Sequence, residues 1–135
     1  MKLVLDTNVL LKALIKDSAV RGIIVGPKHE FLIPEYAIEE TRKHMSLIEG
    51  KSGLSASQID SVLETLLTNV RMVSARDILS AWKEAEEIMA PIDRNDTAFL
   101  AAAMSAPCDG IWSDDRHLKR QKKIKVWRTK EVFEL

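Results

Sequence analysis

Short apolar runs alternate with longer segments of helical periodicity along the chain, and this alternation limits the fold more than any other feature. A run such as Leu3-Val4-Leu5 has the length of a buried strand, whereas apolar residues in the segment 59–67 recur at helical spacing. Strands that alternate with helices form a mainly parallel sheet with helices on both faces. The sequence therefore predicts an α/β protein with three layers, α/β/α. The predicted strands are Lys2–Leu5, Glu30–Ile33, Val70–Val73, Ile111–Trp112 and Lys125–Trp127.

Polar and small residues predict where several helices begin and end. Pro34 suits the first turn of the helix after the second strand, and the polar stretch 49–53 ends that helix. Ser55, with Gln58 three residues later, is a capping-box pattern for the next helix. Further helices are predicted over 76–89, 97–104 and 115–121, and the small apolar residues of 97–104 indicate a buried helix.

The composition excludes some classes of site. The chain has 135 residues, enough for one packed domain, and we expect residues 1–135 to form it. Its 20 basic and 20 acidic residues cancel, so a polyanion would have to bind a local patch. The single cysteine, Cys108, excludes an internal disulfide and a multi-cysteine zinc site. No apolar run is long enough to span a membrane, and we expect a cytoplasmic protein.

Three aspartates stand at predicted strand ends or helix starts. Asp6 directly follows the first strand, and Asp96 and Asp115 stand where helices begin. In open α/β sheets, ligands bind beyond the carboxyl ends of the strands. Glu40, in the helix after the second strand, is placed to bring a fourth carboxylate to the same edge. The pattern predicts an acidic site at one edge of the sheet.

Each of these carboxylates also has an ordinary explanation. Asp6 can cap the first helix, and Asp93 with Asp96 can form a helix-start pair. The segment 113–115 combines a capping hydroxyl with two carboxylates at another helix start. A glutamate inside a helix, such as Glu40, usually lies on a solvated face. These separate explanations do not account for the presence of four carboxylates at one edge of the predicted sheet.

A bound metal ion explains the grouping. Carboxylates gathered at one edge repel one another, so a cation should offset the repulsion. Mg²⁺ and Mn²⁺ prefer oxygen ligands, and Mg²⁺ is often held by one or two carboxylates together with waters. Such an ion lowers the pKa of a bound water and orients it for attack on a phosphodiester. The acidic set therefore predicts a Mg²⁺- or Mn²⁺-dependent nuclease with water as its nucleophile.

Four blocks of the sequence carry a resemblance to a known family. They are Leu5–Leu10, Ile33–Glu40, Asp93–Ala101 and Trp112–Leu118, and they occur in the order and spacing of the PIN-domain family. Over nearly its whole length, the chain resembles the VapC-like and archaeal-type single-domain ribonucleases of that family. The resemblance implies a small α/β fold and a hydrolase that cleaves RNA phosphodiester bonds internally with the help of a metal ion.

The resemblance also implies roles for individual residues. Catalytic and metal-binding roles fall on Asp6, Glu40, Asp96 and Asp115. Asn8 would support the first carboxylate and Ser113 the last loop.

At three places, the sequence leaves open which residue binds the metal ion or what role a residue has. Asp114 stands where the family often has glycine, so either Asp114 or Asp115 is the ligand, and the alignment of Leu118 favours Asp115. Thr41 stands where the family commonly has an apolar residue, so Glu39 competes with Glu40. Asp93, one helical turn before Asp96, either shares the metal or caps the helix.

The segment from Arg116 to Lys130 carries eight basic residues and no acidic one. An RNA backbone must be drawn to a pocket that is itself negative, and Lys and Arg contacts to phosphate do this without reading sequence. We therefore predict RNA binding here, the alternative being a solvated charged face. The predicted RNA-binding residues are Arg116, Lys119, Arg120, Lys122 and Lys123. His117 is near the site, but the metal mechanism does not require it.

The leading biological hypothesis is the toxin of a toxin–antitoxin pair, with an antitoxin protein as partner, because family members of this size often have that role. The alternatives are a housekeeping RNA-processing or quality-control nuclease, and a PIN-like module that binds RNA or protein with little catalysis. The resemblance also suggests a homodimer. The apolar helix 59–67 offers it a contact face, although an ordinary core face is the favoured interpretation of that helix.

Overall fold

The central element of the protein is a parallel sheet. The structure is a computed structural model and describes residues 1–15 and 18–135. In this part of the chain the sheet has five strands in the order β3-β2-β1-β4-β5, and each neighbouring pair is parallel. The strands are β1 (Lys2–Leu5), β2 (Glu30–Pro34), β3 (Val70–Val73), β4 (Gly110–Trp112) and β5 (Val126–Trp127). The predicted α/β class and parallel sheet are confirmed.

Helices connect the strands and cover the sheet on both faces. Within the described residues they are α1 (Thr7–Ile15), α2 (Ser18–Val25), α3 (Glu35–Lys43), α4 (Met45–Ser52), α5 (Ala56–Leu67), α6 (Ala75–Met89), α7 (Thr97–Ser105), α8 (Arg116–Arg120) and α9 (Thr129–Phe133). The connections from β1 to β2 and from β2 to β3 run in one direction, and the connection from β3 to β4 runs back. Right-handed crossovers therefore place α1–α5 on one face and α6 and α7 on the other. None of these helices is long and apolar enough to cross a membrane.

The direction of the chain across the sheet reverses between β1 and β4. The chain leaves β1 towards β2, whereas β4 lies on the opposite side of β1, so their carboxyl ends border a crevice. In the register of this pair Leu5 lies beside Trp112, and the Asp6 N–H donates to the Trp112 carbonyl at 3.2 Å. Asp6 and Ser113, which directly follow the two strands, are therefore neighbours.

The core lies between the sheet and the two helical layers. All residues from Thr97 to Ala103 in α7 are buried, as the small apolar composition of this segment predicts. Ala81 and Ala85 of α6 are buried as well, which permits close approach of the two helices. Ile59, Leu63 and Leu66 of α5 also belong to the core. That face of α5 therefore packs against the core of its own chain.

The capping signal before α5 has the predicted geometry. Ser55 Oγ accepts the Gln58 N–H at 3.2 Å, and Gln58 Oε1 accepts the Ser55 N–H at 2.9 Å.

Two helix boundaries differ from the expectations. Pro34 is the last residue of β2, where it pairs with Val73, and it precedes α3 instead of lying in its first turn. The helix after β2 is interrupted at His44, and the second piece continues to Gly53, whose φ of 74° ends it. The polar stretch 49–53 therefore ends α4, a helix that the sequence did not separate from α3.

Candidate active site

The four predicted carboxylates line one small cavity at the carboxyl edge of the sheet. They come from the end of β1, the middle of α3, the 3-10 turn before α7 and the loop after β4. The cavity has a volume of about 120 Å³ and is lined by Asp6, Thr7, Asn8, Leu11, Glu40, His44, Asn95, Asp96, Phe99 and Asp115. The fold thus brings together acidic groups that are far apart in the sequence, and we call this the acidic cavity.

Asp6 is buried and is held by the loop after β4. The Ser113 hydroxyl donates to Asp6 Oδ2 at 2.6 Å. Burial raises the pKa of the Asp6 carboxyl above its ordinary value, and the negative charge of Asp115 acts in the same direction. The hydrogen bond from Ser113 and the backbone N–H of Asn8 oppose this shift. Ser113 therefore supports Asp6 through its side chain, and Asn8 supports it through its main chain.

Asp96 has a buried carboxylate oxygen without a hydrogen-bond partner. It is 6% exposed, and within the described part of the chain its Oδ2 is the buried side-chain atom that has no hydrogen-bond partner. Burial, followed by the proximity of Asp115 and Asp6, raises the pKa of Asp96 to about 8. A buried polar atom without a partner costs about 1–3 kcal/mol. A proton or a cation at Asp96 removes that cost.

Asp114 and Asp115 serve different parts of the protein. Asp115 lines the acidic cavity, and its Oδ1 also accepts the His117 N–H at 2.8 Å at the start of α8. Asp114 accepts from Lys12 Nζ at 2.8 Å and from the Thr129 N–H at 2.9 Å. Asp114 thus links α1 to the start of α9, and Asp115 is the carboxylate at the cavity.

Glu39 and Glu40 are likewise separated by the turn of α3. Glu40 lines the acidic cavity, and its Oε1 accepts the Thr7 hydroxyl at 2.8 Å. Glu39 lines a different cavity, of about 400 Å³, together with Tyr36 and Trp82. Burial and the neighbouring charge of Glu40 raise the pKa of the Tyr36 hydroxyl. The geometry favours Glu40 over Glu39 as the acidic residue of the site.

Asp93 and His117 extend the acidic cavity outward. Asp93 Oδ1 accepts the Asn95 N–H at 3.0 Å, so Asp93 does cap the 3-10 turn. Its Oδ2 lies 3.4 Å from His117 Nδ1, which lies 3.4 Å from Asp115 Oδ1 as well. One ligand atom from each of Asp93, Asp96, Asp115 and His117 lies within 4.8 Å of the others. Asp93 therefore both caps the turn and faces the site.

A groove of about 760 Å³ lies next to the acidic cavity and contains basic side chains. Lys12, Lys51 and Arg116 line it, together with apolar residues such as Leu47. Lys12 Nζ is already paired with Asp114 at 2.8 Å. Lys51 and Arg116 are therefore the cations of this groove that the described contacts leave without a carboxylate partner.

The other predicted RNA-binding residues lie away from this groove. Lys119 and Lys122 line a separate cavity of about 310 Å³ beside β5. Lys119 Nζ lies 3.9 Å from Glu131. Lys123 Nζ lies 3.3 Å from Glu84, and Arg120 is exposed. The basic segment is thus divided between the groove, where Arg116 lies, and a second surface.

Several residues at the site were not identified from the sequence. The Thr7 hydroxyl donates to Glu40. The position of Thr7 in the polar turn directly after Asp6 is the signal that could have identified it. Tyr36 stands four residues before Glu40, a spacing that places both on one side of a helix. His117 is close to the site in the sequence, but spacing alone does not show that it lies between Asp93 and Asp115.

Comparisons with known proteins agree with this fold. The model of the PIN domain family matches residues 4–134. A chain in the crystal structure of VapBC2 from Rickettsia felis, bound to a DNA fragment from their promoter, has a similar fold with a TM-score of 0.73. The two are 14% identical, and the match covers 95% of this chain and 98% of that chain. A comparison with curated proteins gives no match. Because the family model covers nearly the whole sequence, the chain belongs to the PIN-domain family.

Proposed function

We propose that the protein is a divalent-metal-dependent endoribonuclease in which Asp6, Glu40, Asp96 and Asp115 hold the metal ion. PIN domains are nucleases, and the family is established for this chain. The observation that carries the proposal is the buried Asp96 Oδ2, which has no hydrogen-bond donor among the described residues and lies in a cavity lined by three further carboxylates.

The chemistry of the four side chains fits Mg²⁺ or Mn²⁺. Both ions take carboxylate oxygens as ligands, and Mg²⁺ retains several of its own waters. Without a bound cation, burial and the neighbouring charges raise the pKa of Asp96 to about 8, so this carboxyl is largely protonated at neutral pH. A divalent cation offsets the repulsion and allows all four groups to ionise.

The chain's own residues provide a preorganised set of ligands. Ser113 orients Asp6, Thr7 orients Glu40, and Asp115 is fixed by its bond to the start of α8. A divalent ion bound there lowers the pKa of a coordinated water and stabilises negative charge on a phosphodiester. Of the residues that line the cavity, none is a serine or cysteine, and the proposal needs no side-chain nucleophile.

The groove beside the acidic cavity is the proposed path of the substrate backbone. Lys51 and Arg116 line it and supply cations for phosphates, and Asp115 belongs to both the groove and the cavity. Such contacts hold a nucleic acid without selecting its sequence. The choice of RNA over DNA follows from the resemblance of the four sequence blocks to PIN-domain ribonucleases.

We further propose that the protein is the toxin of a toxin–antitoxin pair, with an antitoxin protein as its partner. The Rickettsia felis chain of similar fold comes from a structure of VapBC2 with promoter DNA, and the match spans nearly all of both chains. A housekeeping RNA nuclease is the second candidate. Because the acidic set is complete at the cavity, a module without catalysis is the least favoured alternative.

Two neighbouring glutamates provide the test. Glu40→Gln should abolish RNA cleavage in Mg²⁺ or Mn²⁺, whereas Glu39→Gln, which changes the adjacent residue in the other cavity, should cleave like the wild type. Chelation should stop cleavage by the wild type and by Glu39→Gln. Cleavage that survives complete chelation, or equal activity of both variants, would contradict the proposal.

A further inference from the structure

We infer that the cavity beside Trp82 binds an unpaired base of the RNA substrate and prefers guanine, with Arg94 as the residue that selects the base. The inference rests on the proposed function for its substrate, RNA. It adds a sequence preference that phosphate contacts in the groove do not provide. The cavity has a volume of about 400 Å³, and we call it the aromatic cavity. Among the residues that line it are Tyr36, Ile78, Trp82, Arg94, Asn95 and Ala98.

The aromatic cavity adjoins the acidic cavity. Asn95 lines both of them. The Tyr36 ring, in the aromatic cavity, packs edge-on against the Phe99 ring, in the acidic cavity, with 6.3 Å between the ring centroids. A nucleotide whose phosphate lies at the acidic cavity can therefore place its own base, or that of its neighbour, in the aromatic cavity.

The side chains of the aromatic cavity suit a flat ligand with polar edges. Ile78 and Ala98 are buried, and Tyr36 and Trp82 are half-buried. Ligand sites are typically clefts of about 300–1,000 Å³ that combine apolar and aromatic side chains with a few polar groups. Proteins hold unpaired RNA bases by stacking them on aromatic side chains. An unpaired nucleobase is therefore the part of the substrate that matches this cavity.

Hydrogen bonds hold the aromatic cavity in shape. Trp82 Nε1 donates to Glu86 Oε2 at 3.1 Å, which fixes the indole ring. Glu35 Oε2 accepts the Ala75 N–H at 3.2 Å, which connects the start of α3 to the start of α6. A site that needs little ordering loses less free energy on binding. These contacts therefore favour the binding of a base.

Arg94 determines which base fits. Its side chain is exposed, and no salt bridge of the described residues involves it. A guanidinium group only donates hydrogen bonds. Guanine presents two acceptors, N7 and O6, on one edge, whereas adenine presents the N7 acceptor beside an amino donor. Guanine is therefore the base that can accept two hydrogen bonds from Arg94.

A phosphate is the alternative partner of Arg94. A phosphate contact would be the same for every base, whereas paired hydrogen bonds to guanine require the planar guanidinium group. Lysine retains the positive charge but lacks this paired geometry. Arg94→Lys therefore separates the two partners, because it retains a charge for phosphate and removes the means of selecting guanine.

Binding of short RNA to the intact chain in a chelator provides the test, because metal-dependent cleavage does not occur there. The probes are labelled uridine pentanucleotides with uracil, guanine, adenine or cytosine at the centre, and fluorescence anisotropy gives each Kd. The wild type should bind the guanine probe roughly tenfold or more tightly than the others, as paired contacts to a base typically discriminate. Arg94→Lys should lose most of this preference.

Two further variants complete the experiment. Trp82→Leu removes the indole ring and should weaken binding of the guanine probe by roughly tenfold, since stacking on an aromatic side chain is lost. Glu39→Gln changes a charge at the same cavity but keeps an acceptor oxygen, and it should retain the preference. Circular dichroism verifies the fold of each variant.

Three results would overturn the inference. They are equal binding of the four probes by the wild type, an unchanged guanine preference in Arg94→Lys, and binding of the guanine probe by Trp82→Leu with the affinity of the wild type. The second result would assign Arg94 to a phosphate.

The outcome separates this inference from the proposed function. If the wild type prefers the guanine probe but cleaves no RNA in any divalent metal, the base site stands and the nuclease proposal fails. If metal-dependent cleavage occurs while the four probes bind equally, the nuclease proposal stands and the base site is wrong. If both are correct, cleavage of a longer RNA should occur mainly beside guanines, and Arg94→Lys should spread it over the other bases.

Discussion

Ser113 connects the two strands at which the acidic cavity is built, because its hydroxyl donates to Asp6 Oδ2 at 2.6 Å. The Ser113 hydroxyl oxygen in turn accepts the Asp115 N–H at 3.0 Å. One small, fully buried side chain thus sets the positions of two of the four carboxylates. Its position follows from the register of β1 and β4, which aligns Leu5 with Trp112.

Ser113→Ala should reduce both stability and metal-dependent cleavage. The substitution leaves the buried Asp6 carboxylate without its side-chain donor, which should cost about 1–3 kcal/mol. Ser113→Thr retains a hydroxyl at the same position and should restore most of the activity. Urea unfolding and RNA cleavage of the two variants test this expectation, and an alanine variant with normal activity would show that Ser113 does not position the site.

The stability of the metal-free protein should fall as the pH rises. Burial raises the pKa of Asp96 from 3.8 to about 8, so the folded state binds more protons than the unfolded state between these values. The resulting stabilisation is complete below the unfolded pKa and is lost as the pH rises through the folded pKa. The pKa of Asp6 is also raised and acts in the same direction.

Urea unfolding in the presence of a chelator, between about pH 5 and pH 9, measures this dependence. Asp96→Asn should flatten the profile and should be at least as stable as the wild type at the alkaline end, because it removes the buried charge. A saturating divalent metal should also reverse the trend, since it stabilises the ionised form. A variant profile as steep as that of the wild type would contradict the assignment to Asp96.

The sheet and the grouping of carboxylates were predictable because they depend on periodicity and chain direction. Residues directly after parallel strands meet at one edge, which is how Asp6 and Asp115 come together. The capping box at Ser55 was predictable for a similar reason, since its partner is only three residues away. Such features follow from the local sequence pattern together with the general rules for how parallel strands and helices assemble.

The choice between neighbouring residues was not predictable in the same way. Which of Glu39 and Glu40 faces the cavity depends on the rotation of α3, which is set by its packing. The partners of Asp114 are Lys12 and Thr129, and Thr129 begins a short helix that has little periodicity of its own. The position of His117 between two carboxylates depends on the loop after β4 and the turn before α7 together.

RNA affinity should depend on two sets of cations in different ways. Lys51→Gln with Arg116→Gln changes the groove beside the acidic cavity, and should weaken binding and cleavage of short and long single-stranded RNA alike. Each lost phosphate contact should reduce the slope of log affinity against log salt by roughly 0.7.

The second set is Lys119→Gln, Lys122→Gln and Lys123→Gln, which lie outside the groove. This triple variant should weaken the binding of long RNA and leave a short RNA at the cavity nearly unaffected. Fluorescence anisotropy at several salt concentrations measures both effects. An unchanged affinity and salt slope for long RNA would mean that this part of the basic segment is only a solvated surface.

Induced expression of the wild-type chain should arrest the growth of a bacterial host if the protein is a toxin. Asp6→Asn should not do so, because it removes a ligand charge while the amide oxygen can still accept from Ser113. Immunoblots verify equal amounts of soluble protein. Normal growth with soluble wild-type protein would favour the housekeeping nuclease over the toxin.

Substitution of Asp115 should mainly reduce RNA cleavage, whereas substitution of Asp114 should mainly reduce stability. Asp115→Asn should reduce cleavage by roughly 100-fold or more, because it removes a charged group from the cavity, and even outer-shell groups typically contribute 10- to 100-fold. Its stability should change little, since asparagine caps a helix as well as aspartate does and the bond to the His117 N–H can persist.

Asp114→Asn should show the reverse pattern. Burial opposes ionisation of Asp114, but the hydrogen bonds from Lys12 and Thr129 outweigh it and lower the pKa of the carboxyl. Loss of the negative charge weakens the bond to Lys12 at 2.8 Å and should cost about 1 kcal/mol, because the pair is partly exposed. Cleavage should be nearly normal. Melting temperature and metal-dependent cleavage, measured for both variants, decide the matter: a larger activity loss in Asp114→Asn would move the metal ligand to that residue, and equal large losses would mean that both carboxylates belong to the site.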